Sequence, residues 1–465
     1  MKKTLALFTL AVFTNSCSVS CQNLKTNQSH DSWKADFVTF TGKEKIDFDS
    51  EKNKLVYLSS ELQNSEGKLY LLKDGKELPN QNKINHTKID LQNPSQIQII
   101  GKKAKGSFEL KYPIFDVKTI KVVSNQNFEL LALSYLLLNL EDFENIPDTQ
   151  TFKSEDGKET RVKDLYALNL KIGQEFKSYQ KSKNLEIIKT YFDRNFYLHF
   201  SNFVMGLDNF PNAKVISDKQ FSHEFSSLSD QEKFVKTFNN FYKEVHFDEF
   251  LKKYQPYYQE MISEVSNHTP KENFIIEMEH FYSKKVDNYV LYPSLMMPFS
   301  QGFAVGNSDT IGNVFASFNK PENVNDTSGF DLGFKNDVSL RTICIHEFGH
   351  SFVNPAVDKI DEQLMDSKEF LFEPIKNKMS EQAYNQWKIC LYEHFDRAGE
   401  VIIAKLIGDS KKADEILNDN VKNRSFIYLP QIINQLEYWY YNEFFSKTYE
   451  QKVSEIVANL QTVSN

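Results

Sequence analysis

The residues with the clearest chemical potential are His346-Glu347-Phe348-Gly349-His350. On a helix, positions four apart project from the same face one turn apart, so both imidazoles can reach a single ion. Neutral imidazole nitrogens hold tetrahedral zinc at about 2.0–2.1 Å, and a spacing of three or five would aim the second ring elsewhere. Glu347, beside the metal, is free to take a proton from a water that the zinc activates. The expected chemistry is metal-assisted hydrolysis, with the competing role of these residues being a satisfied pair of helix histidines.

That arrangement requires a helix, and the flanking residues supply one. Leu340, Cys344 and Phe348 recur at helical spacing with Ile343 alongside, and Asp337 is placed to cap the start. Asn354-Pro355 is expected to stop the helix shortly after His350. Gly349 costs about 1 kcal/mol against alanine in a helix interior, so a strand or a substrate is expected to pack closely there.

A catalytic zinc takes three protein ligands and keeps one position open. The extended metzincin motif calls for Gly at 353 and His at 356; Val353 and Ala356 exclude it, and no Asn-Glu pair of the thermolysin kind follows. The best source of a third ligand is the segment Ile389 to Ala398, within an amphipathic helix expected from about Ser380 to Leu406. Glu393 is the leading candidate, with Arg397 one turn on as its partner. His394 is the rival, although it falls on the apolar stripe of Trp387, Leu391, Ala398 and Val401; Glu369, Glu373 and Glu400 are further alternatives. A donor for the developing oxyanion is also needed, and Tyr428, Arg397 and His394 are candidates. Core packing competes for Tyr428, and more strongly for Tyr438, Tyr440 and Tyr441.

The segments HEFGHSFVNP (His346 to Pro355) and Glu393-His394-Phe395-Asp396-Arg397-Ala398 resemble a set of bacterial lipoproteins regarded as zincin-like metallopeptidases of the Glu-zincin type. The resemblance covers roughly residues 118–465, and its specific part is the HExxH motif. It implies His346, His350 and Glu393 as zinc ligands and Glu347 as the base. His394 stands where that pattern has a tyrosine.

The chain has 465 residues, enough for two or three domains. A net charge of −8 with no basic block argues against nucleic acid as a partner. Residues 1–21 read as a signal peptide: Lys2 and Lys3 precede a short apolar run from Leu5 to Phe13. Small residues leading to Cys17 and Cys21 suggest lipid acylation and a membrane anchor in the cell envelope, with Cys17 preferred; a plain secretory signal is the alternative. Residues 22–32 are expected to be a tether. The remaining cysteines, Cys344 and Cys390, form no disulfide framework and suit buried packing.

Residues 33–115 alternate in short runs separated by turn signals such as Asp74-Gly75, which predicts a small β-sandwich. His86 there is expected on a surface loop. Residues 116–465 are expected to form the helix-rich, zincin-like domain, giving an α+β chain overall. Amphipathic spacing marks Phe128 to Leu140, Asn184 to Phe200 and Ser229 to Tyr254, and 39 Phe with 22 Tyr give ample core material. His199, His223, His246, His268 and His280 lack metal-ligand spacing. Val290 to Pro298 and Gly302 to Phe318 return to strand character, and a sheet edge there is a candidate receiver for an extended peptide. The function expected is an exported zinc metallopeptidase acting on protein or peptide; the alternative is a surface binding lipoprotein on an inactive peptidase scaffold.

Overall fold

In the computed structural model, the described residues are 20–22, 25–51, 53–78, 83–153, 159–215, 222–271, 273–299, 301–325, 329, 331–444 and 446–462. The chain divides into two compact units, Met1–Val117 and Lys118–Asn465. It has the mixed α and β content expected, an antiparallel N-terminal β unit followed by a helix-rich region.

In the first unit, the short alternating runs are consecutive parts of three long strands, Ser32–Phe48, Lys54–Lys73 and Ser95–Lys111. The last pairs antiparallel with both others, within one continuous eight-stranded sheet. Asp74 and Gly75, both at positive φ, turn the hairpin from Lys73 to Lys76. Bulges interrupt the long strands near Phe40 and Glu66. At one of these, Gly106 has φ +145° and an added Cβ would lie 1.9 Å from the Gln63 carbonyl oxygen, so no larger residue fits. One face buries Trp33, Phe37, Phe40, Ile97, Ile99 and Phe108 among others. His86 lies in a strand, Lys83–Asp90, not on a loop.

The expected signal and tether correspond in part to structure. Ser20–Gln22 and Lys25–Gln28 are strands, each pairing with Ser32–Phe48. Backbone pairing to a long neighbour, not an apolar pattern, holds these polar residues. Cys17 and the apolar run before it lie outside the described residues, as does Asp156-Gly157, a turn pair of the same kind as Asp74-Gly75. No described helix is long and apolar enough to cross a membrane.

The second unit holds a four-stranded sheet in the order Gly302–Gly306, Thr310–Phe315, Asn288–Pro293, Ile120–Val122. The last three are parallel, and Gly302–Gly306 is an antiparallel edge strand. The helix Asp337–Asp358 packs against the edge strand and its neighbour, and against the helix Trp387–Leu406. It buries Leu340, Cys344, Phe348 and Phe352 on one side, with Phe348 beside Tyr289 and Phe274. That leaves His346 and His350 to face the Trp387–Leu406 helix. Cys344 and Cys390 are free and buried, and burial pushes both thiols up.

Two local expectations fail at the ends of the motif helix. Asn336, not Asp337, is the N-cap: its side-chain oxygen accepts from the Ser339 N–H at 2.9 Å. Pro355 lies inside the helix, which runs to Asp358. A proline there leaves the carbonyl four residues earlier without its helical donor. That carbonyl belongs to Ser351, and the Lys284 ammonium lies 3.5 Å from it. The second helix starts at Trp387, later than the expected Ser380.

Candidate metal centre

Packing of the two helices gathers His346, His350 and Glu393, whose ligand atoms lie within 4.8 Å of one another. Glu393 Oε1 is 3.3 Å from His350 Nε2, and Glu393 Oε2 is 4.0 Å from His346 Nε2. Donor atoms around a tetrahedral zinc stand about 3.4 Å apart, so this spacing suits such an ion.

The other nitrogens of the two rings decide which way they point. His346 Nδ1 is 2.7 Å from Glu400 Oε1 and also meets Asp396 Oδ2. His350 Nδ1 is 3.2 Å from Asn354 Oδ1. Both Nδ1 atoms therefore face acceptors and carry the proton in the neutral rings, which leaves both Nε2 lone pairs turned toward Glu393. Asn354, read from sequence as part of a stop signal, is the acceptor one turn on that orients His350.

The charge balance points the same way. Glu347 of the motif helix is buried together with Glu393, Asp396 and Glu400 of the Trp387–Leu406 helix, and Arg397 is the cation that second helix supplies. Arg397 Nη1 donates to Glu400 Oε1 at 2.7 Å, and Nη2 is 3.6 Å from Glu393 Oε2. Four carboxylates exceed one guanidinium, and the imbalance falls on the histidines. Desolvation lowers the His350 pKa, yet Asp396 and Glu393 outweigh it and bring it up to about 9. His346 is likewise raised well above its ordinary value, because Asp396 and Glu400 overcome desolvation and the Arg397 charge. Glu393 is held far below the usual carboxylate range against desolvation, chiefly by His350, then His346 and Arg397. Its Oε2 is buried without a hydrogen-bond partner among the described residues. A divalent cation would satisfy this excess, and the donor set of two imidazole nitrogens and one carboxylate is of the kind zinc takes.

Glu347 is buried beside the pair, and desolvation raises its carboxyl pKa. Its Oε1 lies 2.9 Å from where a Cβ on Gly302 would sit, so the edge strand runs directly against it. Gly349 makes room for neither strand nor substrate. A Cβ there would meet Asp396 Oδ1 at 2.1 Å, so the glycine is the slot through which Asp396 reaches His346.

The remaining candidates are placed as follows. His394 is fully buried, with its Nδ1–H donating to the Cys390 carbonyl at 2.8 Å and its ring against Phe426. Desolvation brings its pKa down to about 4, and it belongs to no metal-capable group among the described residues. Tyr428, expected as a catalytic donor, is not at the site: its hydroxyl donates to the Leu371 carbonyl at 2.7 Å and its ring packs on Trp387. Arg397, also expected as catalytic, braces Glu393 and Glu400 with its guanidinium. Glu369 and Glu373 are exposed and outside both metal-capable groups among the described residues, and Glu400 joins a second one with His346 and Asp396.

Tyr384 was missed from sequence. Its hydroxyl feels the charges of Glu393, Arg397 and His346, is 3.5 Å from Arg424 Nη2, and has its pKa raised first by desolvation and then by Glu393. Ala383, at φ +70°, turns the chain just ahead of it, and nothing in the local sequence marks that turn. Asp396 carried a weak signal, since position 396 follows Glu393 by nearly one turn.

No curated protein and no solved structure matches the chain. Residues 163–459, which contain both helices of the cluster and the edge strand, match a family described as a domain of unknown function, DUF4932, and the chain belongs to that family.

Proposed function

We propose that the chain is a zinc-dependent peptidase of the zincin kind, with His346, His350 and Glu393 as metal ligands. The observation that carries this reading is the orientation of both imidazoles: each Nδ1 meets an acceptor, and each Nε2 converges on Glu393. Bound there, zinc would act as a Lewis acid on a carbonyl and lower the pKa of water.

The chain's own residues do the rest. Glu347, its pKa raised by burial, takes the proton of the attacking water and returns it to the leaving amine. The edge strand Gly302–Gly306 receives the peptide. Ala316 N–H bonds Gln301 O and Asn307 N–H bonds Thr310 O, so the odd-numbered residues of this strand face their neighbour. Gly302, Ala304 and Gly306 therefore turn their N–H and C=O groups outward. Asn202 Oδ1 accepts from Gly306 N–H, which leaves Gly302 and Ala304 to pair with an extended backbone next to Glu347. Tyr384 donates a hydrogen bond from its hydroxyl to the developing oxyanion. Asp396, Glu400, Asn354 and Arg397 hold the ligands in orientation.

An anchored, exported protein of the cell envelope with protein or peptide substrates is part of the same proposal, carried by the sequence of residues 1–21. Metal content by elemental mass spectrometry tests it, on wild type and on folded His346→Ala, Glu393→Ala and His394→Ala chains. About one zinc per chain is expected in wild type and His394→Ala, and none in the other two, with an unfolded protein substrate cut by wild type but not by Glu347→Gln. A folded wild-type chain that takes up no zinc overturns the reading in favour of a binding protein on a peptidase scaffold.

A further inference from the structure

The proposed cleft has a face that the metal chemistry does not use. Side chains alternate along a strand. Gly302 points at Ile343 and Glu347 of the motif helix, so Phe303 points to the opposite face of the sheet. There the half-buried Phe303 ring lies 5.9 Å from the exposed His199 ring, and His199 lies 6.3 Å from Phe196. Phe196 is 44% exposed, unusual for a phenylalanine with this many aromatic neighbours: Tyr135 and Tyr197 pack behind it at 5.9 and 5.0 Å. The three rings form a ledge backed by Tyr135 and Tyr197, with Phe196 and His199 exposed.

The ledge is continuous with the free backbone edge. Phe303 stands between Gly302 and Ala304, the two residues whose outward N–H and C=O groups have no partner among the described residues. A peptide strand added to that edge extends the sheet, and its side chains alternate between the Glu347 face and the Phe303 face. A side chain on the second face comes to rest beside Phe303, since directly opposed residues on adjacent strands have Cβ atoms about 4.5–5.5 Å apart.

We propose that Phe196, His199 and Phe303 form a specificity subsite that selects peptides carrying a bulky apolar or aromatic side chain on the face of the bound strand away from Glu347. This rests on the peptidase reading above and adds the substrate class. Ring-on-ring and ring-on-aliphatic contact, not charge, is the basis of the selection, because the ledge presents three aromatic rings to one side chain. No covalent step is added to the mechanism.

The test uses the full-length zinc-loaded chain and a randomised peptide library, with cleavage products sequenced by mass spectrometry. Wild type is expected to enrich Phe, Tyr, Leu and Met at one position close to the cleaved bond. Two peptides differing only by Phe or Ala at that position then give a kcat/KM ratio, and Phe303→Ala and Phe196→Ser are each expected to lower that ratio about tenfold or more. Phe303→Leu keeps an apolar side chain and most of the buried volume and is expected to shift the ratio less, which separates lost selection from misfolding. Binding of the same two peptides to the Glu347→Gln chain, read by fluorescence anisotropy, gives the ratio without turnover. Peptide cleavage with no positional enrichment, or with a ratio unchanged in both variants, overturns the subsite and leaves the peptidase reading standing. A zinc-loaded wild type that neither cuts nor binds any peptide overturns both.

Discussion

Replacing Gly349 by alanine separates the helix from the site. In an ordinary helix interior this change is stabilising by about 1 kcal/mol, because alanine has the higher propensity. Here the new methyl would lie 2.1 Å from Asp396 Oδ1. Ordinary contact needs about 3.5 Å, so the carboxylate must retreat by more than roughly 1 Å. Asp396 is 1% exposed and meets His346 Nδ1, so it cannot swing into solvent. Overpacking of this kind costs about 1–3 kcal/mol, and loosening a buried charge pair adds to it. The net for the metal-free chain is a loss of about 2 kcal/mol after the propensity gain is subtracted. In an Asp396→Ala background the obstruction is gone, and Gly349→Ala is expected to stabilise by up to about 1 kcal/mol. The two sites are therefore coupled by about 3 kcal/mol. Urea unfolding of the four chelator-treated proteins, followed by the fluorescence of Trp387 and Trp439 in the second unit, measures each term. A Gly349→Ala chain as stable as wild type, with no change of sign when Asp396 is removed, refutes the argument.

Other consequences concern tyrosines and a buried acid away from the cluster. Tyr384→Phe is expected to lower kcat about a hundredfold with zinc content unchanged, the scale of a lost oxyanion donor. Tyr428→Phe is expected to leave kcat alone and cost about 1 kcal/mol in urea unfolding, for the hydrogen bond to Leu371. Glu129 is fully buried, and desolvation raises its carboxyl to about 7 against hydrogen bonds from Ser294, Tyr258 and the Leu295 N–H. The folded chain then holds a proton that the unfolded one releases near pH 4.5, so this contribution is complete below that pH and is lost as pH rises toward 7. Glu129→Gln is expected to flatten that slope and to stabilise the chain above pH 7 by up to about 3 kcal/mol, read from urea midpoints across pH 4 to 8.

Much of this protein was legible from local pattern. The spacing of His346 and His350, the apolar repeat of Leu340, Cys344 and Phe348, and the Asp74-Gly75 turn each depend on neighbours within a few residues. So the motif helix, the hairpin and the α+β character follow from sequence alone. What sequence left open was every question answered by another element. Glu393 and His394 are adjacent on one helix, and only the crossing against Asp337–Asp358 turns Glu393 toward the histidines and His394 into the pocket of Phe426 and Tyr428. Helix crossing also explains Gly349, whose partner lies in another helix, and Pro355, tolerated where Lys284 can approach the carbonyl it frees. Tyr384 replaces Tyr428 beside the cluster for the same reason: residue type and periodicity describe a face, whereas long-range packing decides what that face meets.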